Sequence, residues 1–154
     1  MFRHVVAASL LMVSGLAADE GPQRPKIYGV AFVRLKSSDF SKASETYSKI
    51  LGLPAGTSKG KNGCTNVENP CFVVNESQHV ELVPAHAGDP GSWLEEIAFS
   101  TSSVSGMRDY LRYHGISVSD IKTAPEGSPF LETQDPEGNR IGFIERNAHG
   151  SFSL

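Results

Sequence analysis

The 154-residue chain is poor in the features that announce the common chemistries. It has two cysteines and one tryptophan, no run of basic residues, and no long apolar stretch beyond its first eighteen residues. Two cysteines without a paired histidine motif are weak grounds for a zinc site. The formal charge is −3. That mild acidity, with no basic run or basic helix face to offset it, argues against nucleic acid and an anionic membrane surface as partners, and neither is expected. The serines sit in no nucleophile elbow, which argues against a hydrolase triad. Gly56, Gly60 and Gly63 lie in a lysine-containing loop but match no phosphate-binding motif.

The first apolar stretch stands apart. Arg3 and His4 precede an apolar run over residues 5–16, and Ala17 and Ala18 come just before Asp19 and Glu20. A positive start, a short apolar run and small residues at the exit read as a secretory leader over residues 1–18. The run is too short for a stable membrane anchor. The protein is therefore expected to be exported, periplasmic or secreted, with residues 19–26 a linker and no membrane contact after the leader is removed. Loss of Arg3 with the leader leaves a mature charge of −4. Cys64 and Cys71 flank a turn-rich segment. In an oxidising compartment they read as a structural disulfide, the other reading being two free thiols.

The rest of the chain reads as one α+β domain over residues 27–146, followed by a polar tail over residues 147–154. Residues 27–36 alternate as a strand with one buried face. Ser37, Ser38 and Asp39 offer a helix cap, and Ala43, Tyr47, Ile50 and Leu51 form an apolar helical stripe that ends at Gly52. Residues 71–75 and 79–84 read as strands. The pattern then restarts. Residues 95–101 form a strand, and Ser102 and Ser103 cap a second helix whose stripe is Val104, Met107, Tyr110, Leu111 and His114. A short strand is expected at residues 116–118, and longer ones at 130–134 and 139–145. The last two are joined by Asp135, Pro136, Glu137 and Gly138, a type I turn sequence. Trp93, just ahead of the second half, reads as a packing residue. Residues 32–52 and 96–115 match almost in register, so the domain is an internal repeat with modules at about residues 27–84 and 93–146.

These residues resemble a known family. The stretch from Phe32 through Asp39 to Gly52, the strand His79-Val80-Glu81-Leu82, the strand opening at Glu96, and above all the closing hairpin from Asp135 to Glu145 are similar to the glyoxalase, bleomycin-resistance and extradiol dioxygenase group, the vicinal oxygen chelate superfamily. The resemblance implies two β-α-β-β-β modules curling into a cup of mixed sheet with the helices outside. It implies a divalent ion held by four inward side chains, at positions that fall on Phe32, Glu81, Glu96 and Gly142. Phe32 and Gly142 offer no ligating side-chain atom. Glu81 and Glu96 remain, and His79 shares a face with Glu81 by strand alternation. A metal site of His79, Glu81 and Glu96 would suit Mn or Mg, with Fe, Ni and Zn the other ions to consider.

Three functions stand at this point. The first is metal-free binding of a small organic molecule in the cup, with Phe32, Arg34, His79, Glu81, Glu96 and Arg140 as the lining. The second is a metal-dependent lyase, isomerase or dioxygenase with Glu81 and Glu96 as the candidate catalytic groups. The third is a non-catalytic structural or interaction protein. The first is preferred, because two of four ligand positions are lost; whether the chain is an enzyme stays open. Arg34 and Arg140 either grip an anionic ligand or pair with Glu81 and Glu96. With both modules in one chain, a monomer suffices and a homodimer is the alternative.

Overall fold

The structure, a computed structural model, describes residues 21–56, 64, 68–88 and 93–146. The expected leader, the tail and most of the loop before Cys64 lie outside the described residues. Strands β1 (Ile27–Ser37), β2 (Cys71–Asn75), β3 (Gln78–Pro84), β4 (Leu94–Thr101), β5 (Lys122–Thr123), β6 (Pro129–Gln134) and β7 (Arg140–Glu145) form one mixed sheet in the order β2-β3-β1-β4-β7-β6-β5. The antiparallel pair β1–β4 joins the halves, and each of its strands runs parallel to the last strand of its own half, β3 and β7. The repeat is thus a repeat of topology.

Cross-strand partners share a face. Phe32 and Arg34 therefore lie on the same face as His79, Glu81, Glu96, Ala98, Arg140 and Gly142. This face is concave. The rings of Phe32 on β1 and Phe130 on β6 come to 6.4 Å between centroids. Three ladder steps of ~4.8 Å each would put these strands roughly 14 Å apart on a flat sheet. A bulge between Val30 and Phe32 lets Ala31 join Phe32 in a small apolar cluster with Ala98, Ala124 and Ile144.

The opposite face is covered unequally. Helix α2 (Val104–Tyr113) starts where the Ser103 side chain accepts from the Gly106 N–H, and it buries Val104, Met107 and Leu111 against Leu131 and Phe143. Helix α1 (Phe40–Glu45) is capped by Asp39 as expected, but its continuation over Thr46–Ile50 widens into a π turn. The Leu51 N–H bonds to the Thr46 carbonyl, five residues back, so Ile50 and Leu51 turn outward and are exposed. The apolar stripe expected in this helix is not buried; Tyr47, stacked on Phe72 at 5.2 Å, is its contact with the sheet.

Two further expectations are corrected. Residues 116–118 form no strand: Ser119 takes the edge of β6 through its N–H and hydroxyl to Glu132, and β5 falls later, at Lys122–Thr123. Trp93 is 64% exposed rather than packed. In the first half, an isolated bridge from Ala55 to Phe72 stands where the second half has β5. Pro54 has no N–H to extend that pairing into a strand. The disulfide Cys64–Cys71 is present and buried. Gly56 packs against it, and a Cβ there would lie 2.4 Å from the Cys64 sulfur.

Candidate functional site

The site on the concave face follows from two registers that meet at one residue. Arg34 is the ladder partner of Glu81 on its parallel side and of Glu96 on its antiparallel side. Its guanidinium lies between the two carboxylates. Nε and Nη2 donate to Glu81 Oε2 at 3.0 and 2.9 Å, and Nη1 donates to Glu96 Oε2. Glu81 Oε1 faces His79 Nε2 at 3.1 Å. Phe32 stacks on the His79 ring at 5.2 Å and lies under the Arg34 guanidinium at 5.1 Å. Phe32, His79, Glu81 and Glu96 are all buried.

Glu96 is held in an unusual way. One oxygen takes Arg34; the other, Oε1, is buried with no hydrogen-bond partner among the described residues. It packs against the backbone of Gly142, where a Cβ would come within 2.5 Å of it. Burial pushes the Glu96 carboxyl above its ordinary value, with Arg34 opposing and Glu132 adding to the rise. Gly142, expected as a lost ligand position, thus makes room for the glutamate.

The side chains of Arg140 and Glu96 do not meet in an ion pair. Arg140 donates to Glu95 at 2.7 Å and to Glu132. Burial works against Glu132 as an anion, but bonds from Lys122 and Arg140 prevail and hold it below its usual range. Arg140 and Glu132 are walls of a groove of about 420 Å³ at the end of β6, which Ser117, Ser119 and Thr133 also line.

Sequence reasoning missed three polar side chains. Arg146, one residue past β7, donates to the Ser77 carbonyl in the β2–β3 turn at 2.6 Å and so bridges the cup from one half to the other. Glu126 and Ser128, in the turn between β5 and β6, have buried oxygens with no hydrogen-bond partner among the described residues. Burial raises the Glu126 carboxyl and depresses Arg146, and each feels the other and Glu81. Extending the period of two one step beyond Ile144 reaches Arg146, and one step before Phe130 reaches Ser128; that was the available signal.

The family's metal position does not fit an ion here. Phe32 and Gly142 ligate nothing, and both remaining carboxylates already hold a guanidinium. A divalent cation at that spot would face a buried positive charge at close range. The set His79, Glu81 and Glu96 fails because Arg34 occupies the space between the two carboxylates, on Glu81 Oε2 and Glu96 Oε2. A different group comes together on β2 and β3: Cys71, His79 and Glu81 present ligand atoms within 4.8 Å of one another, with all three residues buried. In the structure Cys71 is bonded to Cys64.

No family model and no curated protein matches this sequence. Solved structures do. The methylmalonyl-CoA epimerase of Mycobacterium tuberculosis aligns with a TM-score of 0.61 at 18% identity, over 77% of this chain and 88% of that one. The methylmalonyl-CoA epimerase of Streptomyces coelicolor, in complex with 2-nitronate-propionyl-CoA, gives 0.61 at 16% identity, over 84% of this chain and all of that one. A homoprotocatechuate 2,3-dioxygenase from B. fuscum gives 0.58 at 18% identity, over 86% of this chain and 34% of that longer one. Epimerase and dioxygenase are both vicinal oxygen chelate proteins, and the fold of this chain is theirs.

Proposed function

We propose that this is an exported protein that binds a small organic molecule on the concave face of its sheet without a metal at the family's chelation position. The mature domain is residues 27–146, and the leader over residues 1–18 directs export. The observation that carries the reading is the set of buried, unpartnered oxygens on Glu96, Glu126 and Ser128. Buried polar atoms in native proteins are nearly always paired. Buried oxygens without partners are what a ligand with hydrogen-bond donors would complete. The ligand class is thus a small molecule bearing hydroxyl, amide or ammonium groups. Phe32 and Phe130 supply the apolar part of the lining. A groove of about 420 Å³, walled by Arg140 and Glu132 at the end of β6, has the volume of a small-molecule site. The CoA ester held by a protein of like fold supports ligand binding by this architecture.

The test uses untagged protein with its disulfide intact. Metal analysis is expected to find no stoichiometric divalent ion. A panel of hydroxylated and amine-bearing aromatics is expected to contain members that raise the melting point, because a ligand at a hundred times its Kd stabilises by ~2.7 kcal/mol. One equivalent of bound metal, or a melting point that no panel member moves, overturns the reading.

A further inference from the structure

We propose that Cys71 has two mutually exclusive partners: the sulfur of Cys64, or a borderline divalent cation, Zn²⁺ foremost, held by Cys71, His79 and Glu81. The register brings the three together. Cys71 pairs with Glu81 across the β2–β3 ladder, and His79 precedes Glu81 by two residues, so all three side chains share the concave face. Their ligand atoms lie within 4.8 Å of one another, and the residues are 5%, 3% and 1% exposed. Sulfur, imidazole nitrogen and carboxylate oxygen are the three donor types zinc takes.

The separation of the nitrogen and oxygen donors suits a shared ion. His79 Nε2 and Glu81 Oε1 are 3.1 Å apart. Two ligands at ~2.1 Å from a shared zinc reach that separation at an angle of roughly 95°. Arg34 engages the other oxygen of Glu81, so the ion and the guanidinium take opposite sides of one carboxylate. Of the four positions that the resemblance assigns to an ion, this set uses Glu81 alone; Cys71 and His79 lie outside them.

Redox state decides between the partners. In the disulfide, the Cys71 sulfur carries no charge to offer. A dithiol reductant supplies two electrons and two protons, breaks the Sγ–Sγ bond and leaves two thiols, itself becoming a disulfide. The Cys71 thiol then gives its proton to solvent as its sulfur bonds the cation. Charge favours this order. The concave face around Glu81 holds the carboxylates of Glu81, Glu96 and Glu126 against the guanidinium groups of Arg34 and Arg146. A thiolate adds a further negative charge beside Glu81, which a divalent cation offsets.

The experiment compares the untagged full-length chain, oxidised, with its C64S variant, which leaves Cys71 free without a reductant. Zn²⁺ uptake is measured by competition with a chromogenic chelator, and Co²⁺ serves as a spectroscopic probe of thiolate ligation. C64S is expected to take up one equivalent of Zn²⁺ and to show a thiolate-to-cobalt band. The oxidised chain is expected to take up none, and C64S/H79Q and C64S/C71S are expected to lose both signals. If C64S does not fold, the wild-type chain reduced with a non-chelating phosphine is used, and Zn²⁺ is expected to protect Cys71 from alkylation in peptide mass spectra. Equal uptake by the oxidised chain and C64S, unchanged uptake in C64S/H79Q, or alkylation of Cys71 indifferent to Zn²⁺ overturns the proposal. Unchanged uptake in C64S/H79Q, or alkylation of Cys71 indifferent to Zn²⁺, leaves the proposed function standing, and a melting point that no small molecule moves leaves this inference standing, so the two fail separately; metal uptake by the oxidised chain would count against both.

Discussion

Replacing Arg34 with methionine isolates the central interaction of the cup. Methionine keeps most of the side-chain volume and removes the charge. In the native protein the guanidinium satisfies one oxygen of Glu81 and one of Glu96, both carboxylates being almost wholly buried. The variant leaves two buried carboxylates with no cation between them. Removing one partner of a buried, hydrogen-bonded charge set costs ~3–5 kcal/mol. At roughly 3 °C per kcal/mol for a domain of this size, the melting point at neutral pH should fall by about 10–15 °C. The loss depends on pH with a definite sign. Without Arg34, burial raises the Glu96 carboxyl further above its ordinary value of 4.5, because the opposing influence is gone. A carboxyl raised in the folded state contributes stability below its unfolded pKa and loses it as pH rises through the folded one. The gap between native protein and variant should therefore be wide at neutral pH and close as pH falls below about 4.5. Thermal melts of both proteins across that range provide the assay. Mn²⁺ gives a second arm: with the guanidinium removed, it should raise the melting point of the variant and leave the native protein unmoved. A variant that melts within a degree or two of the native protein at neutral pH, or a gap that does not narrow in acid, would refute the view that Arg34 stands where a metal otherwise would.

Two further predictions address the same face. Gly142→Ala places a methyl group 2.5 Å from Glu96 Oε1 and 2.8 Å from Phe130, positions real atoms do not tolerate. Denaturant melts should show a loss of ~1–3 kcal/mol, the range for overpacking a tight interior. Glu126→Gln should match the native protein in stability below the ordinary carboxyl value of 4.5 and exceed it increasingly as pH rises, because burial raises the native carboxyl and the amide has no charge to desolvate. Equal pH profiles for the two proteins would show that Glu126 is not buried as described.

Much of the fold was legible in the sequence because it rests on local periodicities. Alternation of two placed Phe32 and Arg34 on one face of β1, and His79 and Glu81 on one face of β3. The family resemblance, not the periodicity, pointed to residues 32, 81, 96 and 142 as a common surface, and the ladder registers place them on one face. The Asp135 turn closed as expected, its carboxylate accepting from the backbone of Glu137 and Asn139. The first helix was misjudged because a stripe in sequence shows which residues share a face only while the turn is regular, and the π turn over Thr46–Ile50 changes that phase.

What the amino-acid order determined alone is the set of elements and the duplicated pattern, since each depends on neighbours within a few turns or strand steps. Whether Arg34 would grip a ligand or its own carboxylates was settled only in three dimensions. It needed a parallel register with β3 and an antiparallel one with β4 to coincide at one residue, and ladder registers are long-range properties that no local pattern encodes. Curling of the sheet, with Arg146 reaching Ser77 across the cup, likewise follows from closure of the whole sheet.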